Sequence, residues 1–324
     1  MNGPVASEDR PPVRIGISAC LLGDEVRFDG GHKRDRFLSE TLGQFVEWVR
    51  VCPEVELGLG TPRETLRLER VGGTLRMLTT RTHIDHTDGM NRWAARRTVE
   101  LAGENLCGYV LKKDSPSCGM ERVKVFGVGG APERSGRGLF ATALMTRLPN
   151  LPVEEEGRLS DVRLRENFVE RVFAYRRLKD LFEARWSAAG LVSFHAAHKM
   201  TLLAHSTTMY RELGRLAASA GTMSRPELRK SYEALFMSTM SRIATTARHT
   251  NVLMHMAGHL KKIVDVESRH ELLDCIEEYR RGLVPLVVPV TLLRHHVRVH
   301  GVAYLAGQTY LDPHPRELLL RNHV

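Results

Sequence analysis

RIGISACLLG, residues 14–23, is a run of β-branched and small apolar residues that ends in a cysteine and a glycine. It reads as a short, largely buried strand over 14–19 that turns at Cys20. Two later stretches have the same form. VRVCPEVELGLG at 49–60 gives a strand over 49–52 closing on Cys52, and LCGYVLKKDSPSCG at 106–119 gives a strand over 108–112 followed by a turn that carries Cys118. SETLGQFVEWVR, from a Ser39 cap, and HTDGMNRWAARRTVELAGE, from a Thr87 or Asp88 cap, have helical spacing. Strand and helix therefore alternate, which predicts an α/β domain with a mostly parallel sheet. In such folds ligands collect at the carboxyl ends of the strands, where cysteines far apart in sequence can meet.

Cys20, Cys52 and Cys118 fit no local zinc or redox spacing. They read as ligands of one shared soft-metal site, the alternative being that they are small buried hydrophobes. Thiolates suit zinc, copper(I) or iron-sulfur clusters, but structural zinc normally takes four ligands in close pairs. Three thiolates on a 4Fe-4S cluster would leave one iron open to substrate. Cys107 and Cys275 read as core residues.

A chain of 324 residues exceeds one core, so two domains are expected. The prolines and acidic run of RLPNLPVEEEGRLSD, 147–161, mark the boundary, giving an α/β domain over 1–150 and a second domain over 158–324. The second half has apolar residues spaced by three and four in DVRLRENFVERVFAYRRLKDLFEARWSA, RPELRKSYEALFMSTMSRIATTARHTNVLMHMAGHLKKIV and SRHELLDCIEEYRRGLV, which predicts an all-α helical bundle. No apolar run spans a membrane, the N-terminus lacks a signal-peptide core, and five cysteines make no disulfide framework. A cytoplasmic, reducing location is expected.

Charge divides unevenly. Residues 1–157 hold 22 Lys+Arg and 22 Asp+Glu, whereas residues 158–324 hold 25 against 16, together with 12 of the 15 histidines. A basic domain is the footprint of a polyanion binder; a solvated Arg-rich helical surface is the alternative. His195, His198 and Lys199, then Arg248, His249 and Asn251, then Lys261 and Lys262 are candidate contacts to phosphate and sugar. The pairs His255/His259, His296/His300 and His195/His198 lack a third zinc ligand and read as core or hydrogen-bonded histidines. FGVGGAPERSGRGLFATALM, 126–145, reads as a turn into a helix or as a phosphate-binding loop without the P-loop ending, and Asp29-Gly30-Gly31 as a turn whose neighbours His32, Lys33 and Arg34 are candidates to reach substrate.

SACLLG (18–23), RFDGGHK (27–33), CPEVELGLGTPRE (52–64) and LKKDSPSCG (111–119) resemble the TudS family of thiouracil desulfidases. FHAAHKMTLLAH (194–205), RHTNVLMHMAGHLKK (248–262) and HHVRVHGVAYLAGQTYLDPHPRELLLRN (295–322) resemble the YbgA-like helical domain. Fused in this order they are similar to the RudS type of tRNA 4-thiouridine desulfidase. That resemblance implies a 4Fe-4S cluster on Cys20, Cys52 and Cys118 whose open iron binds the substrate sulfur. It also implies Glu54 and Ser115 as the catalytic acidic and hydroxyl residues, and tRNA as partner. Spacing alone does not separate Glu54 from Glu56. Other readings are a desulfidase for free thiouracil or thionucleosides, and an iron-sulfur regulator that binds nucleic acid.

Overall fold

A computed structural model describes residues 12–127, 131–183 and 185–323, and the chain divides between Leu159 and Ser160 into two compact units. In the first unit the strands are β1 (Val13–Ser18), β2 (Val46–Val51), β3 (Leu66–Val71), β4 (Thr74–Thr79), β5 (Gly108–Leu111), β6 (Val123–Phe126), β7 (Glu133–Gly136) and β8 (Val153–Glu155). The helices are α1 (Pro53–Glu56), α2 (Thr87–Gly103) and α3 (Leu139–Arg147). One sheet runs β2-β1-β5-β8 with every neighbour parallel. It is the α/β layer that the sequence predicts, and Ile15, Ile17, Val110 and Leu111 at its centre are fully buried.

Three features depart from the sequence reading. The helix expected over SETLGQFVEWVR is not formed. Phe37–Thr41 makes a single wide turn and Leu42–Gln44 a tight one, after which β2 pairs in full register with β1, from Val13↔Val46 to Ser18↔Val51. Val46, Trp48, Val49 and Val51 suit a strand, and a central partner overrides their partly helical spacing. A second sheet, β4-β3-β6-β7, was not foreseen. Its hairpin turns at Gly72-Gly73, both with positive φ (56° and 80°), joining strands of alternating character.

The boundary stretch is itself structured. Val153–Glu155 forms the edge strand β8, so the first unit runs past residue 150. The acidic run is not a solvated linker, because each carboxylate has a partner. Glu154 accepts from Arg158 Nε at 2.6 Å, Glu155 from the Met120 amide at 2.6 Å, and Glu156 from the Lys113 amide at 2.8 Å.

The second unit is helical: α4 (Val162–Glu183), α5 (Ala188–Ala197), α6 (Lys199–His205), α7 (Thr207–Ala218), α8 (Arg225–Met240), α9 (Thr246–Leu260), α10 (Val266–Arg280), α11 (Val287–Val299) and α12 (Ala303–Ala306). The long apolar run from 225 to 264 breaks into α8 and α9, and Thr245 caps α9 by accepting from the Arg248 amide. Two cores form. Leu178, Leu213, Tyr232 and Phe236 fill one, Leu253, Met256, Ile276 and Leu293 the other. α6 serves both, with Leu202 in the first and Met200 and Ala204 in the second. No helix among the described residues is long and apolar enough to cross a membrane.

Candidate active site

Because β2, β1 and β5 are parallel neighbours, the segments that follow them leave the sheet at the same edge. After β1 the chain makes a short 3-10 turn, Ala19–Leu22, that carries Cys20 and is closed by Gly23 at φ 103°. Cys52 follows β2 directly and sits at the N-cap of α1, where Pro53 fits the first helical position. The loop after β5 carries Ser115 and Cys118. All three thiols, Glu54 and Ser115 line one cavity of about 330 Å³.

The Cys118 loop is held from several sides. The Ser115 hydroxyl oxygen accepts from the amides of Ser117 (3.2 Å) and Cys118 (3.1 Å) and donates to Glu54 Oε1 at 3.4 Å. The first amides of α3 do not face an anion. Leu139 and Ala141 donate to the carbonyls of Pro116 (3.1 Å) and Ser117 (3.0 Å), and Gly138 donates to Gly119 (2.8 Å). The phosphate-loop reading of 126–145 is therefore corrected where it is described, residues 128–130 lying outside the described residues. Gly138 is required by close approach, since a Cβ there would lie 2.3 Å from the Ser117 carbonyl oxygen.

Glu54 is buried, and its carboxylate meets Cys52 Sγ at 3.7 Å and Arg63 Nη2 at 3.8 Å. Glu56 turns away from the cavity to accept from Arg97 Nε at 3.1 Å and the Cys52 amide at 3.3 Å. The fold thus separates two carboxylates that the sequence leaves equivalent. Burial pushes the Cys20 thiol up to about 11 despite nearby Lys112, and burial together with Glu54 pushes Cys52 up to about 12. Cys118 is raised well above its ordinary value by burial, then by Glu54, and Cys20 and Cys52 each add to the shift. Among the described residues no three His, Cys, Asp or Glu side chains gather tightly enough to hold a single metal ion. Cys107 is fully buried outside the cavity, and Cys275 is half-buried on α10.

Several cavity residues escaped the sequence reading: Arg27, Phe28, Arg63, Lys112 and Lys113. Lys112 is ion-paired with Glu156. Arg63 binds the Val26 carbonyl at 2.9 Å, and its amide donates to the Phe28 carbonyl at 2.9 Å, so it joins two cavity walls. DSPSCG and TPRE, with cations beside Gly- and Pro-rich turns, were the available signals. Asp29-Gly30-Gly31 is a turn, as read, with the Gly31 amide on Asp29 Oδ1 at 3.1 Å.

In the helical unit the candidate RNA contacts separate. Asn251, Lys261 and Lys262 are exposed on or just after α9, and Lys199 and His195 are half-buried. Arg248 reaches the His205 carbonyl at 2.7 Å. His198 and His249 are buried and do not present donors to a phosphate. His198 Nδ1 meets the Phe194 carbonyl at 2.8 Å and Nε2 accepts from Arg177, while His249 Nδ1 meets the Tyr310 hydroxyl at 2.9 Å. Burial, with Arg177 and Arg321 respectively, pushes each ring down to about 3. They are hydrogen-bonded core histidines.

Residues 15–156 match the family model for 2-thiouracil desulfurase, and residues 199–315 match that of a protein family of unknown function, DUF1722. The uncharacterized protein YbgA of Escherichia coli is 33% identical over 153 residues, covering 47% of this chain and 90% of that protein. The uncharacterized protein YbbK of Bacillus subtilis is 28% identical over 155 residues, covering 46% of this chain and 99% of that protein. A solved structure of the 4Fe-4S-dependent thiouracil desulfidase TudS is 31% identical, covers 48% of this chain and 99% of that chain, and superposes with a TM-score of 0.39. The chain belongs to the family of YbgA, with a region that matches the 2-thiouracil desulfurase model ahead of its DUF1722 region.

Proposed function

We propose that the chain removes sulfur from 4-thiouridine in tRNA, leaving uridine and releasing sulfide, in a reducing cytoplasm. The observation that carries this reading is that Cys20, Cys52, Cys118, Glu54 and Ser115 line one cavity, in a chain whose other unit holds the excess positive charge. Cys20, Cys52 and Cys118 are the residues that would hold a 4Fe-4S cluster. The donor set fits: three soft donors arrive from three strand ends around a space far larger than one ion needs, and the arrangement suits no mononuclear site. When bound, the cluster supplies a Lewis-acidic iron with an open position for a soft sulfur atom.

The remaining work belongs to the protein. The Glu54 carboxylate accepts the proton of the water that adds to C4 of the ring, and Arg63 holds that carboxylate in place. A carbon–oxygen bond forms and the carbon–sulfur bond breaks. Sulfur leaves at its original oxidation level as hydrogen sulfide, so no electron donor is needed. Ser115 orients Glu54 and the amide of Cys118. The exposed cations and amide at Asn251, Lys261 and Lys262 grip tRNA phosphates and sugars, and the half-buried Lys199 and His195 and the tethered Arg248 are secondary candidates. Their binding energy offsets the few kcal/mol needed to unstack the base.

The test is sulfide release by anaerobically reconstituted protein, comparing thiolated tRNA with free 4-thiouracil. A strong preference for tRNA is expected. With about six phosphates engaged, tRNA affinity falls about a thousandfold between about 50 and 200 mM salt. Equal turnover of free base with a flat salt response transfers the activity to free thiouracil, and no sulfide from either substrate leaves the regulator reading.

A further inference from the structure

The helical unit holds a polar pocket that the desulfuration chemistry leaves unused. Glu166, Asn167 and Glu170 reach it from α4, His205 from the end of α6 and His249 from α9. The space they enclose is about 50 Å³, room for a small head group. Its acidic part is buried, with Glu166 9% and Glu170 4% exposed. Two carboxylates one helical turn apart are costly to bury without partners. Arg321, in the segment after α12, stands beside both, with Nε 3.4 Å from Glu166 and Nη2 3.6 Å from Glu170, yet neither nitrogen makes a hydrogen bond. Its Nη1 is committed to the Tyr310 carbonyl at 2.7 Å.

Glu170 is the better satisfied of the pair, because His205 Nε2 stands 3.3 Å away while Nδ1 of the same ring is anchored on the Arg242 carbonyl. Glu166 has only Arg321 and, at 3.6 Å, His323. Asn167 Nδ2 donates to the Met240 carbonyl at 3.0 Å, which leaves Oδ1 as an acceptor. The unfilled capacity of the pocket is therefore in acceptors, and it suits a cation rich in N–H donors. The lining also has an apolar part, made by Ala244, Leu286 and Ile243, the last 42% exposed. A metal ion suits the set less well, since no three ligand side chains gather tightly among the described residues and Arg321 already stands against both carboxylates.

We propose that this pocket binds a small alkylammonium ion, whose N–H groups donate to Glu166 and Asn167 Oδ1 while its alkyl chain packs on Ile243, Ala244 and Leu286. The site is separate from the thiol-lined cavity and does not depend on the desulfidase reading. The same head group comes from a free amine or from a lysine side chain. Binding is linked to protons. Burial raises Glu166, Arg321 opposes that and Glu170 adds to it, which leaves the carboxyl at about 7. The other titratable and charged groups around the pocket are His205 on α6, His249 on α9, Tyr279 on α10, His323 after α12 and the exposed Arg163 on α4. A bound cation favours the ionised carboxylate, so affinity rises with pH through about 7, and binding near that pH releases a proton.

The experiment is calorimetric titration of the full chain with methylammonium, butylammonium, tetramethylammonium, butanol and a lysine blocked at both backbone ends. Each buried methylene is worth about threefold to fourfold, so butylammonium should bind at least about tenfold more tightly than methylammonium. It should also exceed butanol, which lacks the charge, and tetramethylammonium, which lacks N–H donors, by about tenfold or more. Affinity for butylammonium should be about tenfold higher at about pH 8 than at about pH 6, with a heat that varies with the buffer as a released proton requires. Glu166→Gln should weaken butylammonium by about tenfold or more and remove the pH dependence. Ile243→Ala, at an exposed position that folding tolerates, should weaken butylammonium about threefold or more while leaving methylammonium unchanged. Binding of the blocked lysine alongside butylammonium supports the site as one for a lysine side chain, and binding of the free amine alone supports it as one for a small molecule. No binding of any amine, equal affinity for butylammonium and butanol, or wild-type binding by both variants overturns the site. Zinc binding that Glu166→Gln abolishes, without amine binding, overturns it in favour of a metal.

Discussion

Ser115 Oγ donates to Glu54 Oε1 at 3.4 Å across 61 residues of sequence. That contact ties the first turn of α1 to the loop after β5. The same hydroxyl oxygen receives the Cys118 amide at 3.1 Å, so one short side chain sets both the carboxylate and the third thiol. Positioning of the two groups is therefore coupled.

Replacing Glu54 by Gln keeps shape and hydrogen bonding but removes the base. Sulfide release should fall by about a hundredfold to ten-thousandfold, with iron content per chain unchanged. Full activity in this variant removes Glu54 from the reaction. Glu56→Gln, on the carboxylate turned toward Arg97, should retain activity.

Each of Cys20→Ser, Cys52→Ser and Cys118→Ser should lower iron and acid-labile sulfide, measured chemically after anaerobic reconstitution. Cys107→Ser should not, because that thiol is buried away from the cavity. Undiminished iron in all three variants would place the metal elsewhere.

Gly138→Ala tests the support of the thiol loop. The added methyl would meet the Ser117 carbonyl oxygen at 2.3 Å and the Cys118 nitrogen at 2.9 Å. Such overpacking against backbone costs about 1–3 kcal/mol, and the shift of Cys118 should reduce cluster loading. Gly103→Ala, with nothing within 4 Å of the new methyl, is the control. Equal melting temperatures and loading in the two variants would show that the close approach has no role.

Acid sensitivity of the helical unit follows from His198 and His249. Each has an ordinary value of 6.5 and is pushed down to about 3 in the fold. Between those values the unfolded chain binds protons that the folded chain refuses. Stability is therefore complete above about pH 6.5 and falls as pH drops, by about 2 kcal/mol per ring at about pH 5. Urea unfolding at a series of pH values should show this slope. His249→Gln, which keeps a partner for Tyr310, should make it shallower.

Much of this protein could be read from the chain alone, because the signals were local. A strand that ends in a turn residue is legible from its own neighbours, so the segments around Cys20, Cys52 and Cys118 stand out; their parallel order was expected from alternation with helix, yet β1 and β2 pair in parallel with only two short turns between them. The helical half was legible from its spacing. The misreading of 39–50 has a physical cause: a strand paired on a central partner gains from that partner, which local spacing does not record. The Gly72-Gly73 hairpin was within reach, since two glycines between alternating strands are a strong turn signal. Burial of His198 and His249 was not, because it depends on Arg177 and Tyr310, distant in sequence.

The sequence by itself determined which thiols stand at strand ends, where the positive charge resides and which half is helical, all properties of neighbours along the chain. Only the tertiary structure decided that Glu54 and not Glu56 faces the thiols, that Glu155 and Glu156 hold the loop that carries Cys118, and that Phe28 and Lys113 border the cavity. Those choices depend on which side chains a parallel sheet brings to one edge, a relation between residues about 20 to 100 positions apart that no local pattern encodes.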